Sequence, residues 1–192
     1  MKQLCVFCGS NPGSSPFYIE EAKRLGTQLA NEGITLVYGG SKLGIMGAIA
    51  TATLEAGGKV IGVMPNTLMN RELAHTELTE LIVVETMHER KAKMSELSDG
   101  FIALPGGLGT MEEFFEIFTW AQIGEHQKPI GLLNTNHFYD KLLDFLNHMI
   151  QEQFLMDEQY SMIIVEQNPI KLLQRCKKFI PVHQPKWMNP QA

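Results

Sequence analysis

The sequence predicts an α/β protein in which a parallel sheet is covered by helices on both faces. Short apolar runs alternate with longer helical patterns along the chain. The early apolar runs lack clean polar alternation, which is typical of strands that are buried on both faces. No linker, repeat or low-complexity segment divides the 192 residues. We therefore expect one domain over residues 1–180 and a loosely ordered tail over residues 181–192.

Each predicted element follows from its hydrophobic periodicity. The apolar runs predict strands at residues 4–8, 35–38, 59–64, 81–85, 101–104, 129–133 and 162–165. The helical patterns between them lie at residues 17–31, 44–56, 87–97, 111–123, 138–153 and 169–179. Because strands alternate with helices, we expect right-handed crossover connections.

Composition and charge exclude several classes of protein. The net charge is −5 and the basic residues are dispersed, which argues against a nucleic-acid surface. No apolar run approaches the ~20 residues of a membrane span. The opening "MKQLCVFCGS" reaches polar residues too soon for a signal peptide. We expect a soluble cytoplasmic protein, and its three cysteines suit a reducing compartment.

The sequence does not predict a metal site. Cys5 and Cys8 form an isolated CxxC, but positions three apart on a strand point to opposite faces. A structural role is therefore favoured over a redox or zinc site for this pair. The six histidines show no HExxH or paired metal spacing.

Three glycine-rich loops predict a phosphate or nucleotide pocket. "CGSNPGSS", "YGGSKLGIMG" and "LPGGLGT" each follow a predicted strand and precede a helix. Ligands of open α/β sheets bind beyond the carboxyl ends of the strands, where helix N-termini present free N–H groups. The first two loops contribute Ser10, Gly40 and Gly44 as candidate binding residues. The third contributes Gly106, Gly107, Gly109 and Thr110.

The common nucleotide and hydrolase motifs are absent. Gly39 and Gly44 have Walker spacing, but Ile45 follows where that motif needs lysine. The dinucleotide fingerprint is missing after the first strand, and GxSxG is missing throughout. ATP hydrolysis, NAD-dependent hydride transfer and a serine esterase are therefore disfavoured.

Two charged segments leave alternatives open at this stage. Arg90 opens a helix, where a cation opposes the helix dipole. It either pairs with Glu89 or Glu96 in solvent, or it faces an anion at the sheet edge. Thr110 and Glu113 fit a capping box, with Thr110 as the N-cap. The capping box is the simpler interpretation of these two residues alone, and they would also suit a nucleotide site.

Three segments together resemble the LOG ("lonely guy") family of cytokinin riboside 5′-monophosphate phosphoribohydrolases. They are "YGGSKLGIMG", "MHERKAKM" and "PGGLGTMEE", which contains the family's PGGxGTxxE pattern. The resemblance implies a Rossmann-like fold, a homodimer and no cofactor. The implied reaction cleaves the N-glycosidic bond of a nucleoside monophosphate, giving free base and ribose 5-phosphate. Ser41 departs from the YGGG that is common in the family.

The resemblance also implies roles for individual residues. Arg90 and Glu113 fall on catalytic positions, with Glu113 stabilising the ribosyl cation and orienting water. The substrate-binding positions fall on Lys91, Gly106, Gly107, Gly109, Thr110, Thr119 and Glu72. The apolar helix that carries Phe115 and Trp120 is expected at the dimer interface. Two other functions remain open, a non-catalytic nucleotide carrier and a base-exchange transferase. The lysine decarboxylase label that some family members carry has no support in these residues.

Overall fold

The computed structural model describes residues 1–69 and 74–181. The strands are β1 (Gln3–Phe7), β2 (Thr35–Tyr38), β3 (Val60–Pro65), β4 (Glu80–Val84), β5 (Phe101–Ala103), β6 (Ile130–Leu133) and β7 (Ile163–Glu166). The long helices are α1 (Pro16–Asn31), α2 (Gly44–Glu55), α4 (Met87–Leu97), α5 (Leu108–Gln122), α6 (Asp140–Gln151) and α8 (Pro169–Lys177). Two single-turn helices, α3 (Asn66–Met69) and α7 (Asp157–Tyr160), complete the set.

The strands form one parallel sheet in the order β4-β3-β2-β1-β5-β6-β7. The chain builds outward from β1 to β4, then returns to the other side of β1 with β5. Cys5 on β1 therefore pairs with Val37 on one side and with Phe101 on the other. This reversal between β1 and β5 is where open α/β sheets bind ligands.

Helices cover both faces of the sheet, as the sequence predicts. On one face, Leu25, Ile49 and Leu172 of α1, α2 and α8 pack into a common core. On the other face, Met94 and Phe114 of α4 and α5 join the core with Leu146 of α6. The fold is Rossmann-like, and the all-buried strands explain why the apolar runs lack alternation.

Cys5 and Cys8 lie on opposite faces of the sheet, as strand alternation predicts. Cys5 belongs to the core beneath α4 and α5, and Cys8 belongs to the core beneath α1 and α2. Both are free thiols, as is Cys176. Burial raises the pKa of the Cys5 and Cys8 thiols, so both remain protonated at neutral pH.

Two helices start two or more residues away from the predicted position. α5 begins at Leu108 rather than at residue 111, with Gly107 as an extended N-cap that has no side-chain hydrogen bond. Thr110 is therefore inside the first turn, and the alternative of a capping box with Thr110 as the N-cap is wrong. α6 begins at Asp140 rather than at residue 138, because Asn136 and His137 adopt left-handed φ angles of 51° and 59° in the preceding 3-10 turn.

Two of the sequence-based expectations concern the loosely ordered tail and the absence of a membrane span. Residues 182–192 of the predicted tail lie outside the described residues. Within residues 1–69 and 74–181, every helix is too short or too polar to cross a membrane.

Candidate active site

A cavity of about 350 Å³ opens at the carboxyl ends of β1 and β5. Its lining residues are 8–11, 13, 18, 45, 46, 87, 90, 105–110, 112, 113 and 138. The cavity thus lies at the reversal point of the sheet, and its volume is in the range of small-molecule sites. The first and third glycine-rich loops form most of its wall.

The two loops are held together at the floor of the cavity. The Gly9 N–H donates to the carbonyl of Pro105 over 3.2 Å. A Cβ at Gly106 would lie 2.9 Å from the backbone nitrogen of Gly9 and 2.1 Å from Oγ1 of Thr110. The close approach of the loops therefore requires glycine at position 106.

The N-terminus of α5 faces into this cavity. Gly107, Leu108, Gly109 and Thr110 all line it. The first N–H groups of an α-helix have no intrahelical acceptor, and the helix dipole adds positive potential there. The first turn of α5 therefore offers several N–H donors to an anion such as a phosphate.

Arg90 and Glu113 meet at the side of the cavity that is nearer β2. Nη2 of Arg90 lies 3.4 Å from Oε1 of Glu113, and each side chain is only 9% exposed. A Cβ at Gly39, just after β2, would lie 2.1 Å from Nη2 of Arg90. The glycine therefore makes room for the guanidinium. The alternative of a solvated Arg90 is wrong, because the side chain is buried and its ionic partner is Glu113.

Lys91 lies beside this pair but outside the cavity lining. Its ammonium group lies 2.5 Å from Glu112 and 3.0 Å from Glu116, and its side chain is 8% exposed. Burial alone lowers the pKa of Lys91, but the hydrogen bonds to Glu112 and Glu116 outweigh it and raise the pKa. Lys91 thus joins α4 to α5 through two carboxylates and does not line the cavity.

The other predicted binding residues divide into two groups. Ser10 lines the cavity with Gly106, Gly107, Gly109 and Thr110. Gly40, Gly44 and Thr119 do not line it. Glu72 lies outside the described residues.

Each residue outside the lining has a structural explanation. Gly40, with φ +82°, faces Met64 and Leu81 beneath the loop. Gly44 packs against the backbone of Ser10, where a Cβ would lie 2.4 Å from its carbonyl carbon. The Thr119 hydroxyl donates to the Phe115 carbonyl one turn earlier.

The middle glycine loop is tied to the first loop, and Ile45 and Met46 at its end line the cavity. The carbonyl of Gly9 accepts the N–H groups of Ile45 and Met46, which would otherwise be free at the start of α2. Ser41 is fully buried, and its hydroxyl accepts the N–H of Leu43. The replacement of the third glycine by Ser41 thus acts on the shape of this loop.

Sequence reasoning missed an aromatic pair in the lining. The rings of Tyr18 on α1 and Phe138 after β6 meet edge to face, 5.9 Å apart. Neither residue stands in a glycine loop, and aromatic residues at such positions usually belong to a core. The glycine loops gave no signal for this wall, which depends on the packing of α1 against the turn after β6.

Two chemical features limit what the cavity can do. Among the described residues, no lysine lines it, so it offers no amine to a pyridoxal cofactor. The described residues also contain no group of three or more His, Cys, Asp or Glu side chains arranged to hold a metal ion. The polar groups available to a substrate include the Arg90–Glu113 pair, Glu112, and the side chains of Ser10, Asn11 and Thr110, together with the backbone of the two loops.

Comparison with known proteins gives a consistent assignment. Residues 46–176 match the family profile described as "Possible lysine decarboxylase". The cytokinin riboside 5′-monophosphate phosphoribohydrolase LOG1 of Arabidopsis thaliana is 44% identical over 183 residues, which are 95% of this chain and 86% of the relative. The LOG2 protein of the same plant is 43% identical, over 95% of this chain and 85% of its own.

Solved structures share the fold. The molybdenum cofactor binding protein of Rippkaea orientalis superposes with a TM-score of 0.70 at 24% identity, over 93% of this chain and 97% of its own. The molybdenum cofactor carrier protein of Chlamydomonas reinhardtii has a TM-score of 0.70 at 22% identity, over 92% and 96%. At such identities the likeness concerns the architecture alone.

Proposed function

Because the chain belongs to the LOG family of phosphoribohydrolases, we propose that it hydrolyses nucleoside 5′-monophosphates, either a cytokinin nucleotide such as N6-prenyl-AMP or unmodified AMP. The N-glycosidic bond between C1′ of the ribose and the base nitrogen breaks. The oxygen of water bonds to C1′ and one of its protons passes to the base, which leaves free base and ribose 5-phosphate. No redox step is involved.

The buried Arg90–Glu113 pair beside the N-terminus of α5 is the observation that carries this proposal. Cleavage of the glycosidic bond builds positive charge on the ribose, which a nearby carboxylate stabilises. Glu113 is the carboxylate in the cavity wall that also contacts Arg90. We assign Glu113 to cation stabilisation and to orientation of water. Arg90 holds Glu113 in position.

The 5′-phosphate is assigned to the first turn of α5 and to the loop after β1. The backbone N–H groups of Gly107, Gly109 and Thr110 are at the cavity, and Ser10 faces them from the other loop. A phosphate fixed there positions the sugar next to Glu113, one turn further along the helix. Such positioning can supply several kcal/mol of the barrier.

The alternatives fit the cavity less well. Decarboxylation of lysine through a pyridoxal Schiff base needs an amine that the described lining does not contain. A carrier needs no carboxylate and arginine paired at the wall, so the Arg90–Glu113 pair favours catalysis. Base exchange uses the same groups with a second base in place of water. It is distinguished from hydrolysis by its product, a new nucleotide instead of ribose 5-phosphate.

We also propose a cytoplasmic homodimer. Phe115 and Trp120 of α5 are only half-buried within this chain, and Phe145 of α6 is exposed. A second copy of the chain would cover these apolar side chains. The three free thiols suit a reducing compartment. Light scattering coupled to size exclusion tests the dimer, since a monomer at micromolar concentration would contradict it.

The decisive experiment incubates the protein with AMP and with N6-prenyl-AMP in the presence of EDTA and follows free base by chromatography. We expect equimolar base and ribose 5-phosphate from at least one nucleotide. Labelled adenine is included in a parallel reaction. Its incorporation into nucleotide would indicate base exchange, and the absence of any product from both nucleotides would contradict the proposal.

A further inference from the structure

We propose that Tyr18 and Phe138 restrict the site to monophosphates by closing the cavity on the far side of the phosphate. This inference rests on the proposed function and adds the residues that select against nucleoside diphosphates. The two residues form one wall, with ring centroids 5.9 Å apart at 78°. Both line the cavity together with the loops that would hold the phosphate.

The order of the strands places this wall opposite the catalytic pair. Arg90 lies against Gly39, which follows β2, on one side of β1. Phe138 follows β6, which lies beyond β5 on the other side of β1. The N-terminus of α5 follows β5, between the two. A phosphate bound there with its sugar towards Glu113 therefore directs any further substituent towards Tyr18 and Phe138.

The charges of the lining make that direction unfavourable for a second phosphate. Arg90 is the only lysine or arginine among the described lining residues, and it already contacts Glu113. Glu112 adds a further carboxylate to the same lining. A β-phosphate against the two rings would lose water without gaining a cation. Burial of an unpaired charge is strongly unfavourable.

The wall is held in place from several directions. The Tyr139 hydroxyl donates to the Leu104 carbonyl over 2.6 Å, and the Tyr139 N–H donates to Oδ1 of Asn134 over 2.7 Å. The Tyr139 ring also packs edge to face against Phe138 at 5.0 Å. On the other side, a Cβ at Gly13 would lie 2.5 Å from the Tyr18 ring. These contacts fix the segment that carries Phe138, and the Phe138 ring itself is 40% exposed.

The test compares kcat/KM for AMP and ADP in the wild type, Phe138→Ala, Tyr18→Ala and Phe138→Lys. Identification of ribose 5-diphosphate as the co-product of ADP excludes contaminating AMP. We expect the AMP-to-ADP ratio to fall at least about tenfold in Phe138→Ala, which corresponds to ~1.4 kcal/mol. It should fall further in Phe138→Lys, because the ammonium group can pair with the β-phosphate. Phe154→Ala, at an 83% exposed phenylalanine outside the cavity, is the control and should keep the wild-type ratio.

The outcomes separate this inference from the proposed function. A wild type that uses ADP as well as AMP would overturn the inference, as would an unchanged ratio in folded variants at both Tyr18 and Phe138. A wild type that cleaves neither nucleotide would overturn the proposed function. In that case the ratio of AMP to ADP dissociation constants, measured by calorimetry in the same variants, still decides the role of the wall.

Discussion

The ammonium group of Lys91 lies 3.0 Å from Oε1 of Glu116, one turn beyond Glu113 on α5. Its other contact is Glu112, the residue just before Glu113. Two neighbouring residues of α4 thus contact α5. Arg90 contacts Glu113, and Lys91 contacts the carboxylates on either side of Glu113. Lys91 therefore fixes the relative position of the two helices that carry the catalytic pair.

Lys91→Met should lower kcat at least about tenfold, with little change in KM for AMP. Loss of the ammonium leaves the carboxylates of Glu112 and Glu116 facing each other without their shared cation, so the spacing of α4 and α5 around the catalytic pair should change. Lys91→Arg should retain most of the activity. Steady-state kinetics measure both effects, and circular dichroism confirms that the variants are folded.

A triple variant separates positioning by Lys91 from plain stabilisation. Lys91→Met combined with Glu112→Gln and Glu116→Gln removes the repulsion and should recover the melting temperature. If Lys91 positions the catalytic pair, kcat stays low in this variant. Recovery of kcat together with stability would show that Lys91 only stabilises the fold.

Glu113→Gln should abolish most turnover while binding of AMP is retained. The amide has the size of the carboxylate but cannot carry the negative charge that stabilises the ribosyl cation. We expect kcat to fall at least about a hundredfold, or some 2.7 kcal/mol of barrier. Base release measures kcat and calorimetry measures binding. Glu152→Gln, at an exposed carboxylate, is the matched control, and equal turnover in the two variants would remove Glu113 from the mechanism.

Gly39→Ala tests the position of Arg90 without altering Arg90 itself. The new methyl group would occupy the place of Nη2 of Arg90, which lies 2.1 Å from the ideal Cβ position. The guanidinium must then move relative to Glu113. Because the flexible end of the Arg90 side chain can shift, the variant should still fold. We expect its kcat to fall at least about tenfold, as we expect for Arg90→Lys. Wild-type kcat in folded Gly39→Ala would mean that the geometry of the Arg90–Glu113 contact is unimportant.

The 5′-phosphate should dominate substrate recognition. AMP should be cleaved at least about a hundredfold better than adenosine, because the phosphate bound at α5 holds the ribose beside Glu113. The ratio of kcat/KM for the two substrates measures this effect. Ribose 5-phosphate should inhibit competitively and ribose should not. Equal cleavage of AMP and adenosine would mean that the loops after β1 and β5 do not bind phosphate.

Acid should destabilise the protein through His126. Nε2 of His126 lies 2.9 Å from the Ile117 carbonyl, and Nδ1 accepts the N–H of Lys128, so the neutral ring is satisfied on both sides. Burial lowers the pKa of His126. The unfolded chain therefore binds more protons below the usual pKa of about 6.5, and the free energy of unfolding falls as the pH drops through that range.

The comparison of wild type with His126→Gln measures this contribution. The glutamine amide can still donate to the Ile117 carbonyl but does not titrate. We expect the melting temperature of the wild type to fall more steeply than that of the variant between pH 7.5 and about pH 5. His75, whose pKa burial also lowers, is present in both proteins and cancels in the difference. Parallel curves would assign the acid sensitivity to other groups.

The sequence predicts the fold well because burial on both faces leaves a plain signal. Every predicted strand is present, and the apolar residues of β3 and β6 are buried throughout. The start of α5 was missed because the glycines at 106, 107 and 109 have low helix propensity and indicate a turn. In the folded protein they bring the first turn of the helix against the loop after β1.

The site was predictable only where a local pattern carries it. Glycine spacing predicts the loops that line the cavity, and the resemblance to LOG proteins singles out Arg90 and Glu113. The burial of Arg90 depends on Gly39, which is 51 positions earlier in the sequence. The position of the Phe138 ring depends on the hydrogen bond between Tyr139 and Leu104 and on the contact of Phe138 with Tyr18 of α1. Such contacts between distant segments have no local signature.

The central place of β1 has a consequence for synthesis on the ribosome. β1 is translated before both of its partner strands, and the second partner begins only at Phe101. While the intervening residues emerge, the β5 side of an apolar strand stays open, and open strand edges pair readily with other chains. The cavity also forms late, because the loop after β1 can contact the loop after β5 only once β5 has been synthesised. A nascent chain therefore brings the two main loops of the cavity together only after β5 is made, and the wall at Phe138 follows later still.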